Sequence, residues 1–390
     1  MKTNQKLHSA TLFFLVVILL LTVITATASA SISETHISNS GDICDIGGNK
    51  LVWFDYSGGG YTHLYDLLTK KDTILNLHPD TYVYAISGNK IVYEKDGNIY
   101  CYDLTTKKEI YVDYSNDIVS LDMSGNIIAW VNAGYIYYYD INTKKESSIV
   151  ADASSVSVYS NKIIYDNDDG GRSNVFMYDI STKTKTQITK SGTASNPSIY
   201  GTKIVYQDSR KGNYDIYMYD ISTKKETQIT LNTEDQINSN IYGNTITWQD
   251  YRDEFIQIYA YDLITHQQVH TLEAFSDHLG PVLSENKIAC VDFDDDDGLR
   301  LYSGIYVYTI SYLPVAAFTA SPTSGKHPLT VKFTDKSTDV YYYNWNFGDK
   351  STSTVKNPTH KYTKVGKYTV KLTVKNAAGS SSKTMTITVK

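Results

Sequence analysis

"NKIVYEKDGNIYCYDLTTKKE", residues 89–109, decides the fold because the chain writes it again and again. "NKIIYDNDDGGRSNVFMYDISTKTK" begins at Asn161 and "TKIVYQDSRKGNYDIYMYDISTKKE" at Thr202, the middle changing most. The Tyr-Asp pair that ends each phrase places Asp66, Asp103, Asp140, Asp179, Asp220 and Asp262 at intervals of 37, 37, 39, 41 and 42 residues. A seventh copy starts at Asn286 and carries Thr309 where the Asp should stand. Self-similarity at a period near 40 is the mark of a repeat architecture.

Each copy reads as four short strands rich in Tyr, Ile, Val and Thr, separated by polar turns. The fifth shows them as "PSIYG", "KIVYQD", "DIYMYDI" and "ETQIT". In "YDISTKK" the Asp side chain can accept bonds from backbone amides just ahead, so its recurrence has a structural cause. The third strand, "IYCYDL", is apolar on both faces, whereas a sandwich strand keeps one face wet. Four-stranded units buried between neighbours form a β-propeller. The segment "ETHISNSGDICDIGGNKLVW" matches a later fourth strand followed by a new first strand, although no three strands precede it. The last copy ends after its third strand. The N-terminal strand, near Glu34–Ser38, is therefore expected to complete the last blade and make seven.

The phrase "NPSIYGTKIVYQDSRKGNYDIYMYDISTKKETQIT", residues 196–230, resembles the repeat of TolB-like propellers, with its Asp-x-Arg loop and "IYxYD" strand. The resemblance runs over residues 32–312 and implies the fold. It does not imply one function, since fold and function are separable. After Pro314 the composition changes to the alternating strands of an immunoglobulin-like sandwich. "WNFGD", Trp345 to Asp349, resembles the hallmark of PKD domains, and "GKYTVKLTV" resembles a tyrosine corner at Tyr368. The resemblance implies that Trp345 and Phe347 are core and Asp349 a turn residue, in an extracellular spacer or contact module. Propeller repeats joined to a PKD domain are similar to cell-surface proteins of methanogenic archaea.

The expected organisation is all-β: a signal peptide over 1–30, a seven-bladed propeller over 31–312 and a PKD sandwich over 315–390. The leader reading rests on a basic start, an apolar run from Leu12 to Ile24 and small residues at Ala28 and Ala30. That run is short for a membrane span, and no second apolar segment follows. After cleavage the protein would be secreted, without a transmembrane segment. Three cysteines make no disulfide framework.

Charge divides the domains. Residues 315–390 carry 12 Lys and 3 Asp, a net of +9, while residues 31–314 carry 22 basic and 39 acidic residues, a net of −17. This asymmetry concerns association rather than fold. It suits either attraction between the domains or an external anionic partner.

In a propeller the one–two and three–four turns share one rim, and the two–three and inter-blade loops share the other. The first set is short, repetitive and holds 15 of the propeller's 22 basic residues, all Lys. The second varies and is acidic, so a binding site is expected there. Candidates on it are the pairs Asp208/Arg210 and Asp250/Arg252, read first as blade-bracing ion pairs because they repeat, and His78 and His278 on inter-blade loops. "DFDDDDG", Asp292 to Gly298, offers Asp292, Asp294 and Asp296 to a calcium ion, or is a solvated acidic loop. No other cofactor is implied. No G-x-S-x-G, H-E-x-x-H or paired Cys motif occurs, and the acidic face does not suit nucleic acid. The reading is a non-enzymatic surface protein that binds a cell-surface polysaccharide or a surface-layer protein. An extracellular lyase or hydrolase with its centre at the propeller channel is the alternative.

Overall fold

The computed structural model describes residues 30–56, 60–77, 81–115, 117–149, 152–168, 170–253, 255–271, 276–294, 301–376 and 378–390. Among these no helix occurs. Seven four-stranded antiparallel sheets follow one another as blades: residues 42–74, 82–114, 118–149, 156–187, 194–228, 236–270, and 276–311 together with 31–38. Ser31–Ser38 pairs antiparallel with Leu301–Ser311, from Ser31↔Ser311 to Ser38↔Ile305. The ring is therefore closed by the N-terminal strand, leaving no unpaired third strand in blade 7.

The core lies in the seams between blades. Val92, Ile99 and Cys101 of blade 2 pack on Leu121, Ile128 and Trp130 of blade 3. Leu51 and Trp53 of blade 1 pack on Ala289, Ile305 and Val307 of blade 7, so the last seam is as apolar as the others. Burial is deepest one strand further in than the sequence suggests. The second strands, such as Ile204, Val205 and Tyr206, are closed to solvent on both faces. The third strands bury Ile99 and Cys101 but leave Tyr100 and Tyr102 half-buried. The reason is positional: the fourth strand is the exposed outer edge, so only the second strand has a covered strand on each side.

The recurrent Asp caps the three–four turn. Asp103 Oδ1 accepts the amides of Thr105 and Thr106 at 2.9 and 2.8 Å, and Asp220 does the same for Ser222 and Thr223. The Thr106 amide holds the Asp103 carboxyl below its ordinary value. The turn then needs one left-handed residue, and Lys70, Lys107, Lys144, Lys183, Lys224 and His266 supply it with φ between 55 and 58°. Thr309 can replace Asp because no turn follows it; the chain runs on into the C-terminal domain.

That domain is a sandwich of a three-stranded and a five-stranded sheet. Trp345 and Phe347 sit in its core with Phe333, Leu372 and Ile387, and the Trp345 indole donates to Val355 O at 3.0 Å. Asp349 accepts the Ser351 amide and faces His360 Nε2 at 2.8 Å, a turn role. The Tyr368 hydroxyl donates to Lys364 O at 2.9 Å, closing the tyrosine corner.

Candidate functional site

The first strands of the blades line a central channel of about 730 Å³. Its wall is a relay of polar side chains, each reaching one blade onward. Asp45 Oδ2 accepts the Ile86 amide at 2.8 Å, and Asp122 Oδ2 accepts that of Val158 at 2.7 Å. Ser157 Oγ accepts from Ile199, Asn196 donates to Asn238 and Asn240 to Pro281 O. Ser284 Oγ accepts from Gly48 and returns the relay to blade 1. Burial pushes the Asp45 carboxyl up to about 7, against the Ile86 and Ile46 amides that lower it, and the Asp122 charge adds to the rise.

The two Asp-x-Arg pairs are built alike. Arg210 grips Asp208 through Nε at 2.8 Å and Nη2 at 2.5 Å, and lies 4.3 Å over the Tyr217 ring. Arg252 grips Asp250 at 2.8 and 2.5 Å and lies 4.2 Å over Tyr259. Both carboxylates are fully buried. Burial raises the Asp208 carboxyl, but Arg210 and the hydroxyls of Thr193 and Ser191 outweigh it, so it titrates below its ordinary value. Each pair therefore braces its own blade, with its carboxylate closed to solvent.

His278 departs from its expected place. It lies within the first strand of blade 7, Ser276–Ser284, and is fully buried, with Nε2 3.0 Å from the Tyr308 hydroxyl. "SDHLGPVLS" conceals this strand because Gly280-Pro281 breaks its alternation; the ladder absorbs them by a register shift between Leu279 and Val282. Asp292 is likewise a buried ladder residue, paired with His278 and Gly304, at the position of Asp208 and Asp250. Two residues on stands Asp294 instead of Arg. The Asp294 side chain, Asp296, His78 and residues 1–29 of the expected leader lie outside the described residues. No group of three or more His, Cys, Asp or Glu placed to hold a metal occurs among the described residues.

The variable face carries a feature that the motif reading missed. Tyr56, Tyr61, Tyr82, Tyr114 and Tyr135, from blades 1 to 3, are 43 to 58% exposed at strand ends on this side. The Tyr56 hydroxyl donates to Asp42 at 2.6 Å, and the Tyr82 ring sits edge-on to Tyr84 at 4.7 Å. Around them Asp96, Asp117, Asp152, Asp168, Glu234, Asp235 and Asp253 are exposed. With 35 Tyr in the chain, exposure rather than identity marks these five, and exposure follows only from strand register.

These features define an all-β protein made of a seven-bladed propeller and a second, immunoglobulin-like domain. Residues 313–390 match the family model of the PKD domain, which identifies the second domain. Collagenase ColA of Bacillus cereus is 58% identical over 52 residues, which are 13% of this chain and 5% of the collagenase. The chain thus matches a small part of that curated relative. The propeller domain of the trilobed protease from Pyrococcus furiosus aligns over 70% of this chain and 94% of that one, at 12% identity and a TM-score of 0.55. An acylaminoacyl peptidase from Pyrococcus horikoshii aligns over 75% and 58%, at 11% identity and a TM-score of 0.56. An oligogalacturonate lyase in complex with manganese aligns over 72% and 96%, at 14% identity and a TM-score of 0.51. At such identities the likeness shows the fold alone. The Pyrococcus furiosus propeller is described as having open velcro topology, whereas here the N-terminal strand closes blade 7.

Proposed function

We propose that this chain is a secreted, non-enzymatic surface protein whose propeller recognises a cell-surface polysaccharide or surface-layer protein and whose PKD domain spaces or attaches it. The observation that carries this reading is the contrast between the two propeller faces. One rim repeats a self-capped Asp-Lys turn blade after blade. The opposite face carries non-repeating loops and, among the described residues, six exposed tyrosines (Tyr251 of blade 6 with the five of blades 1 to 3) and seven exposed carboxylates. Tyrosine supplies large contact area at low entropy cost and a hydroxyl for hydrogen bonding, which suits recognition. No helix of the described residues is long and apolar enough to cross a membrane; secretion rests on the leader and on the PKD domain. Binding to purified envelope polysaccharides and surface-layer protein, compared between the natural chain and a Tyr56→Ala/Tyr82→Ala/Tyr114→Ala variant, tests the reading.

The enzymatic alternative draws on one observation, the Asp45 carboxyl near neutrality in a channel that Asp122 also lines. Perturbed carboxyls of this kind mark acid–base sites. Both groups, however, are committed to backbone amides of their own and the next blade, which is what a latch between blades requires. Turnover of acidic or neutral polysaccharide that is lost on Asp45→Asn would favour the enzyme.

A further inference from the structure

The PKD domain and the acidic face stand at opposite ends of the molecule. The C-terminal domain leaves blade 7 at the end of its third strand, on the rim of the repeated turns. There the Asn376 side chain donates to Tyr312 O at 2.6 Å. A cleft of about 390 Å³ between the domains is lined by Tyr242, Thr245, Glu285 and Asn286 of that rim and by Asp339 and Tyr341. The six-residue strands of a blade separate this rim from the variable face by about 20 Å. Within one chain, the +9 domain is therefore held away from the exposed carboxylates of the opposite face.

Among the described residues no lysine of the PKD domain enters an ion pair. All 12 of its lysines are exposed. Lys367, Lys371 and Lys375 alternate along the outer face of Gly366–Lys375, about 14 Å between successive ammonium stems. Beside them lie Asn346, Asn344 and the 70% exposed Tyr342 of the neighbouring strand. This sheet face is basic. The variable face of the propeller offers the complement: exposed Asp96, Asp117, Asp152, Asp168, Glu234, Asp235 and Asp253, outnumbering the exposed Arg172, Lys190 and Lys211. Its exposed tyrosine rings are surfaces that take ammonium groups by cation–π contact.

We infer that the occupant of this acidic, tyrosine-bearing face is a second copy of the chain, docked through the Lys367–Lys371–Lys375 face of its PKD domain. Opposite charges steer the two surfaces together and fix their pairing. Because the complementary surfaces lie at opposite ends, the contact is head-to-tail, and the pair still offers one free surface of each kind. Such a heterologous contact grows into rings or filaments instead of stopping at a dimer. The inference goes beyond recognition of an envelope component and does not rest on it; within an assembly only the propeller face left free at its end stays open to such a component.

Sedimentation velocity of the mature chain, residues 31–390, at low salt and at about 0.5 M salt, where screening reaches within a few Å, tests this. At low salt the mean mass should rise with protein concentration, and at high salt the chain should be monomeric. A Lys367→Glu/Lys371→Glu/Lys375→Glu variant should be monomeric at low salt, as should an Asp96→Asn/Asp117→Asn/Asp152→Asn/Glu234→Gln variant. Mixed together, the two should form one-to-one pairs and nothing larger, since each retains the surface the other has lost. All substituted side chains are exposed, so each variant should melt with the natural chain; Lys→Gln substitutions replace charge reversal if it does not. A natural chain that stays monomeric at low salt overturns the inference, even if its PKD domain binds an acidic polysaccharide. Growth that persists in the lysine variant, or variants that do not pair when mixed, overturns it equally.

Discussion

Removing Arg252 should cost more stability than removing Arg210, although the two arginines occupy equivalent loops. After Arg252→Ala, the buried Asp250 carboxylate keeps the Trp248 indole at 2.9 Å and the residue 252 amide at 3.1 Å. After Arg210→Ala, Asp208 keeps the Ser191 and Thr193 hydroxyls at 2.7 and 2.6 Å as well as an amide at 2.9 Å. Breaking a buried pair by removing one partner costs about 3–5 kcal/mol. Arg252 is 29% exposed, so water can enter its place and the lower end, about 3 kcal/mol, is expected. The extra hydroxyl bond in blade 5 offsets about 1 kcal/mol, and the Arg210–Glu226 contact is partly exposed and adds little. For a domain of this size about 3 kcal/mol lowers the melting temperature by about 6–12 °C. Urea and thermal unfolding followed by tryptophan fluorescence measure both variants. Asp250→Asn/Arg252→Met should recover at least half the loss, because no charge is left unpaired. An Arg252→Ala loss below about 1 kcal/mol, or an Arg210→Ala loss equal to it, would refute the reasoning.

Asp45 gives a pH signature of known sign: its carboxyl is raised from 3.8 to about 7 in the folded state, so the fold binds the proton more tightly than the unfolded chain. Its contribution is therefore largest in acid, falls as pH rises through that window and is flat above it; Asp45→Asn should flatten this slope in urea melts taken from pH 4 to pH 8. Deleting residues 31–38 should strip blade 7 of its fourth strand and lower the melting temperature of the whole propeller while promoting aggregation through the exposed edge; a truncated protein that melts like the natural one would remove the closure from the account. If Asp292, Asp294 and Asp296 hold calcium, millimolar calcium should raise the melting temperature and Asp294→Asn should abolish the gain; an unchanged melt leaves a solvated acidic loop.

The ring was legible because repetition reveals it: the spacing from Asp66 to Asp262 counts blades, and Thr309 marks the blade with no turn after its third strand. The PKD core was equally plain, since Trp345, Phe347 and Tyr368 occupy fixed places in a short motif. Features that depend on contact between repeats were not. Asp45 and Asp122 look like ordinary strand polar residues until Ile86 and Val158 of the following blades meet them. His278 reads as a loop residue because Gly280-Pro281 hides its strand, and only the paired Asp292 and the Tyr308 hydroxyl reveal its burial. The exposed tyrosines escaped for the opposite reason: the same residue type fills the seams, as Tyr93, Tyr165 and Tyr206 do. Sequence patterns carry period and polarity; they carry little about which side of a strand end meets solvent.

The central claim is that the two propeller faces divide structure from recognition. Its most direct measurement compares binding of one envelope preparation, polysaccharide or surface-layer protein, by three proteins at physiological salt. These are the natural chain, a Tyr82→Ala/Tyr114→Ala/Tyr135→Ala variant of the variable face and a Lys108→Gln/Lys145→Gln/Lys225→Gln variant of the repeated rim. The six side chains are polar or exposed, so all three proteins should melt together. The account predicts that the tyrosine variant loses at least tenfold in affinity, about 1.4 kcal/mol, while the lysine variant binds as the natural chain does. Undiminished binding by the tyrosine variant together with loss in the lysine variant would place recognition on the wrong rim and contradict the claim.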